Sequence, residues 1–72
     1  MKKLLKMYGL NSDMQYFEMI VNSFINGQYN QAKEQFKMMP KDNRKRMVRS
    51  ALFEGWESGL SNRQKEILFD NL

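Results

Sequence analysis

Apolar positions along the 72 residues recur at spacings of three and four rather than two, the period of an amphipathic helix and not of a strand. The longest run is Met14, Phe17, Ile20, Val21, Phe24 and Ile25, which falls on one wide helical face. Ser12 opens it, with Gln15 three residues on as in a capping box and Asp13 where the helix dipole favours an anion. The run ends near Asn26-Gly27, so a central helix is predicted over residues 12–26. Tyr16 and Met19 lie off the main face, which predicts that this helix is contacted from two sides.

A narrower stripe of Tyr29, Ala32, Phe36 and Met39 predicts the next helix over residues 28–39, with Lys33, Glu34 and Lys37 outside it. Pro40 stops it, because the residue before a proline is pushed out of the α region. A connection as short as Asn26-Gly27-Gln28 makes the two helices an antiparallel hairpin. The following helix is predicted over residues 42–58, with Asp42 as its cap and Val48, Ala51, Leu52 and Trp56 as its stripe. Gly55 would allow a close crossing there, and Gly59 would be the left-handed stop. Ser61 with Gln64 forms a second capping box, opening a helix over residues 62–71 with Ile67, Leu68 and Leu72 on its apolar side. Residues 2–8 read as a short helix stopped by Gly9, docking through Leu4, Leu5 and Tyr8. The pattern therefore predicts one helical domain over residues 1–72. Its fold class is all-α, a small compact bundle of four main helices with a short extra helix at the N-terminus.

Two stretches resemble known families. Gly27-x-Tyr29-x-x-Ala32-x-x-x-Phe36 is similar to the turn and second helix of a tetratricopeptide repeat, with Tyr16 and Met19 where the first helix carries its aromatic and leucine. The resemblance covers residues 13–40, a single unit, and implies a tetratricopeptide-type helical hairpin. Ile20 and Ser23 stand where the repeat has its glycine and tyrosine, and Pro40 arrives four residues early. Residues 60–68 are similar to the first helix of the helix-turn-helix of LuxR-type regulators and sigma-factor region 4. A recognition helix follows in those families, whereas this sequence ends at Leu72, so an ordinary capped helix is expected.

Composition narrows the class. There is no Thr and only five Val and Ile together, so β-branched residues that favour strands are scarce. Mean hydropathy is −0.72 and no apolar run approaches the roughly 20 residues of a membrane span, so a soluble protein without a membrane partner is expected. The opening MKKLLKMYGL lacks a small-residue cleavage site, and a cytoplasmic location is expected. With no cysteine or histidine, the chain has no disulfide, no ordinary structural zinc site and no His-based nucleophilic machinery. Its eight carboxylates form no close pair on an apolar face, and no Gly-rich phosphate loop is present. A non-enzymatic protein without cofactor or small-molecule substrate is expected.

Charge is the informative feature. The net charge of +4 is concentrated in residues 33–49, where seven bases stand against Glu34 and Asp42. At about 100° per residue, turning Val48 and Leu52 to the core places Arg46 and Arg49 on the outer face, with Phe53 beside them and Trp56 at the edge. Arg46, Arg49, Phe53 and Trp56 are thus candidates for binding a protein partner or a second copy of the chain. Lys41, Arg44, Lys45, Arg46 and Arg49 are the alternative candidates, for phosphates of a nucleic acid. The seven methionines are read first as core filling and second as an adaptable binding surface.

Overall fold

The computed structural model is described over residues 1–53 and 60–72, and in side-chain detail over residues 1–50 and 60–72. Five helices follow in order among the described residues: α1 (Lys2–Met7), α2 (Asp13–Ile25), α3 (Tyr29–Met38), α4 (Lys41–Phe53) and α5 (Asn62–Asp70). The bundle is all-α over these residues, with the four longer helices and the short N-terminal one that the pattern predicts. Its radius of gyration, 11.1 Å, is the value of about 11 Å expected for a folded chain of this length. Accessible surface is 4761 Å², close to the roughly 4,700 Å² that a self-contained monomer of 8.7 kDa exposes.

Gly9 and Gly27 end α1 and α2 in the same way. Both take positive φ, 68° and 77°, which costs a residue with a Cβ more than it costs glycine. After α1, the Gly9 N–H donates to the Lys6 carbonyl and the Leu10 N–H to Leu5 (3.2 and 2.8 Å). After α2, the Gly27 N–H donates to Phe24 and the Gln28 N–H to Ser23 (3.0 and 2.8 Å). This is the Schellman arrangement, which satisfies carbonyls the helix leaves open.

The core is built on α2. Tyr16, Phe17, Ile20, Val21 and Phe24 are buried, joined by Ala32, Phe36 and Met39 from the α3 side, Met47 and Val48 from α4, and Leu60 and Leu68. Leu4, Leu5 and Met19 pack against them from the rim. Tyr16 is indeed contacted from a second side: its ring meets Tyr8, the residue that ends α1, edge to face at 5.8 Å. Leu72, expected on the apolar side of the last helix, is 37% exposed, and two expected core residues of α2 also lie outside the core. Met14 and Ile25, the ends of the predicted α2 stripe, are 41% and 60% exposed, standing in the first and last turns of the helix where its own neighbouring turns cover one side only. Tyr29 is also partly exposed, although its ring lies edge to face against Phe24 at 5.5 Å. Core filling holds for Met39 and Met47 and in part for Met1 and Met19, while Met7, Met14 and Met38 face outward.

The hairpin is antiparallel, since Tyr16 near the start of α2 meets Gln35 near the end of α3, and Phe24 near the end of α2 meets Tyr29 at the start of α3. Tyr16 donates its hydroxyl proton to the Gln35 carbonyl at 2.7 Å. That carbonyl belongs to the last turn of α3, where helix geometry leaves acceptors unpaired. Burial, with a smaller effect of Tyr8, pushes the Tyr16 hydroxyl up to about 12. The Ser23 hydroxyl donates to Gln35 Oε1 at 2.9 Å, so the buried polar groups of the hairpin answer one another.

Capping differs from expectation at two helices. Ser12 accepts from the Gln15 N–H, but the Gln15 side chain accepts from Asn11 rather than from the cap residue itself. Asp42 lies inside the first turn of α4 and does not cap it; the Pro40 carbonyl receives the N–H groups of Asn43 and Arg44 (3.0 and 3.1 Å). At α5 the capping box of Ser61 and Gln64 is complete. Gln64 goes further, donating to the Phe24 carbonyl (3.4 Å) and the Tyr29 hydroxyl (3.1 Å), which fastens α5 to the turn end of the hairpin. The predicted roles of Gly55, Trp56 and Gly59, and the side chains of Ala51 and Leu52, lie outside the described residues.

Candidate functional site

The first turn of α2 and the middle of α4 face each other across a groove of about 360 Å³, lined by Met14, Phe17, Arg46, Arg49 and Ser50. Each helix contributes positions three apart, Met14 with Phe17 and Arg46 with Arg49, which share one helical face. Phe17, 2% exposed, forms the floor, and the exposed thioether side chain of Met14 forms a lip. One wall is therefore apolar and the other carries two guanidinium groups.

Arg46 and Arg49 differ in state. Arg46 Nη1 donates to Asp13 Oδ2 at 2.9 Å, and Asn43 Nδ2 reaches the same oxygen at 3.3 Å. Asp13, expected at the start of α2 for its dipole, thus also ties that helix to α4. Arg49 is exposed and forms no ion pair among the described residues.

The remaining candidates separate into two groups. Lys41 and Lys45 are exposed and continue the Arg49 row at intervals of four, giving three cations along one edge of α4. Arg44 is turned the other way. It is four residues before Val48, on the core side, and lies half-buried with Nη1 3.5 Å from the Lys37 carbonyl at the end of α3. Its Nε is enclosed without a partner among the described residues. Phe53 closes the described part of α4, but its side chain and the whole of Trp56 lie outside the described residues.

The expected pairing of Arg46 and Arg49 with Phe53 and Trp56 lies outside the described residues; within them, the groove brings the two arginines Met14 and Phe17 from α2. Met14 continues the apolar stripe, and only its place in the first turn of α2 hints that it faces the groove and not the core. Met47, buried completely, was also missed as a core residue, although it stands four before Ala51 and so on the same face.

Among the described residues, no group of three or more acidic side chains could hold a metal ion, and no helix is long and apolar enough to cross a membrane. Compared with protein-family models, curated proteins and solved structures, the chain matches none.

Proposed function

We propose that the chain is a non-enzymatic helical interaction module, an adaptor or regulator, that docks a protein partner in the groove between α2 and α4. The observation that carries this reading is the juxtaposition of an apolar floor, Phe17 and Met14, with the Arg46 and Arg49 guanidiniums. Arginine beside a desolvated apolar pocket is the combination that dominates binding energy at protein interfaces. The groove is at the small end of the range for enclosed small-molecule sites, which favours one or two side chains of a larger partner over a free metabolite. A second copy of the chain is one such partner. Cysteine-free composition suits the reducing cytoplasm, where we place the activity.

The test is retention of proteins from an extract of the native source by the tagged chain and by its Arg46→Ala, Arg49→Ala variant, with light scattering for self-association. Both residues are exposed, so the variant should keep its helical circular dichroism. A partner, or a dimer, lost in the variant supports the groove. Identical retention by both chains would remove it.

The exposed row of Lys41, Lys45 and Arg49 favours a second reading, binding of nucleic acid through phosphates, with Arg46 at its margin and Arg44 turned away from it. Each phosphate contact adds about 0.9 to the salt slope on duplex DNA, so three contacts give a slope near 2.7. Absence of binding at about 50 mM salt, where such contacts are strong, would end this reading.

A further inference from the structure

We infer that the occupant of the groove is an acidic peptide segment, one that sets a carboxylate on Arg49 and an adjacent apolar side chain against Met14 and Phe17. This rests on the groove being the docking site. The structure already holds one carboxylate against a guanidinium of this groove, that of Asp13 on Arg46 at 2.9 Å. Arg49, one turn further along α4, has no such partner among the described residues. Guanidinium presents a planar fork of donors that matches the two oxygens of a carboxylate, and the match strengthens where an apolar wall excludes water. Met14 and Phe17 supply that wall. The surrounding segment, residues 33–49, carries seven bases against two acids, so an approaching acidic chain is attracted over some distance.

Asp13 decides between a peptide and a nucleic acid. Its carboxylate is bonded to the Arg46 wall, so a continuous run of phosphates laid through the groove would be forced against it. A peptide carrying an isolated carboxylate beside an apolar residue meets no such conflict, because the carboxylate lands one turn away. In this geometry Asp13 acts as an internal competitor: it neutralises one of two arginines and weakens the field that an acidic ligand feels. Removing its charge should strengthen binding, the opposite of what loss of a structural ion pair alone would do.

The experiment measures fluorescence anisotropy of a short labelled peptide with Glu beside Leu, its Gln counterpart, and a labelled oligothymidine, at about 150 mM salt so that long-range attraction is screened. The proteins are the full chain, Asp13→Asn and Arg49→Ala. The Glu peptide should bind the full chain roughly tenfold more tightly than the Gln peptide, and Arg49→Ala should lose a similar factor. Asp13→Asn, which keeps an acceptor oxygen at the helix start, should tighten binding by roughly threefold or more. Equal binding of both peptides, an unchanged affinity in Arg49→Ala, or a preference for oligothymidine would overturn the assignment. An unchanged or weaker affinity in Asp13→Asn would overturn the competitor role. If no acidic peptide binds while a protein partner is still retained through Arg46 and Arg49, the peptide assignment fails and the groove stands; if that retention ignores both arginines, the groove itself fails.

Discussion

Arg46 Nη1 lies 2.9 Å from Asp13 Oδ2, so an arginine that lines one wall of the groove is held by a carboxylate from the helix that forms the other. The Asp13 side chain is 29% exposed and that of Arg46 60%, which places the pair in the regime where solvent screening limits its strength. A double-mutant cycle of Asp13→Asn and Arg46→Ala in denaturant unfolding should give a coupling of about 0.3–1 kcal/mol, shrinking as salt rises. A coupling well above this range would mean that the pair holds the fold rather than shaping the groove.

Tyr16 links stability to alkaline pH. Its hydroxyl proton is held up to about 12 in the fold against an ordinary value near 10, so the folded chain binds this proton more tightly than the unfolded one. The associated stability is complete below about pH 10 and is lost as pH rises through about 12, by on the order of 2 kcal/mol. Tyr16→Phe should cost about 1–2 kcal/mol near neutrality, because the Gln35 carbonyl is left without its buried donor. The gap between the two proteins should narrow between about pH 9 and about pH 11, as unfolding titrations at both values would show.

At α5 one side chain does the work of several. Ser61→Ala removes a cap and should cost about 1 kcal/mol. Gln64→Ala removes the other half of that cap and also its bonds to the Phe24 carbonyl and the Tyr29 hydroxyl, so it should cost about 2–3 kcal/mol. Equal losses in the two variants, measured by thermal unfolding, would show that Gln64 only caps.

Gly27→Ala isolates backbone conformation. A Cβ added there meets nothing within 4 Å, so no clash contributes, and only the positive φ of 77° resists the substitution. The expected cost is about 1 kcal/mol, with Asn at the same position costing less because it tolerates the left-handed region better.

How much of this was legible beforehand depends on whether a signal was local. Caps and stops were: Gly9, Gly27, Pro40 and the Ser61–Gln64 box act within one turn, and each bounds a helix close to where the pattern places it. The middle of the α2 stripe was legible for the same reason. Its ends were not, because whether Met14 and Ile25 are covered depends on what packs beyond the ends of α2 and not on their own spacing. The site was half legible. Arg46 and Arg49 follow from the charge run and the helical wheel, but the partners of those arginines, Asp13, Met14 and Phe17, come from some thirty positions away and no periodicity links them. Arg44 counted as a surface cation although its spacing from Val48 turns it inward.

The most direct measurement is site-specific photocrosslinking from position 14, in cells of the native source, with position 25 as the control. Both Met14 and Ile25 are exposed, and they stand eleven residues apart on α2, about 16 Å along the axis. The expected result is a protein adduct from a photoreactive residue at position 14 that disappears with Arg49→Ala and is absent at position 25. Adducts of equal yield at both positions, or an adduct at position 14 indifferent to Arg49, would contradict docking in the groove.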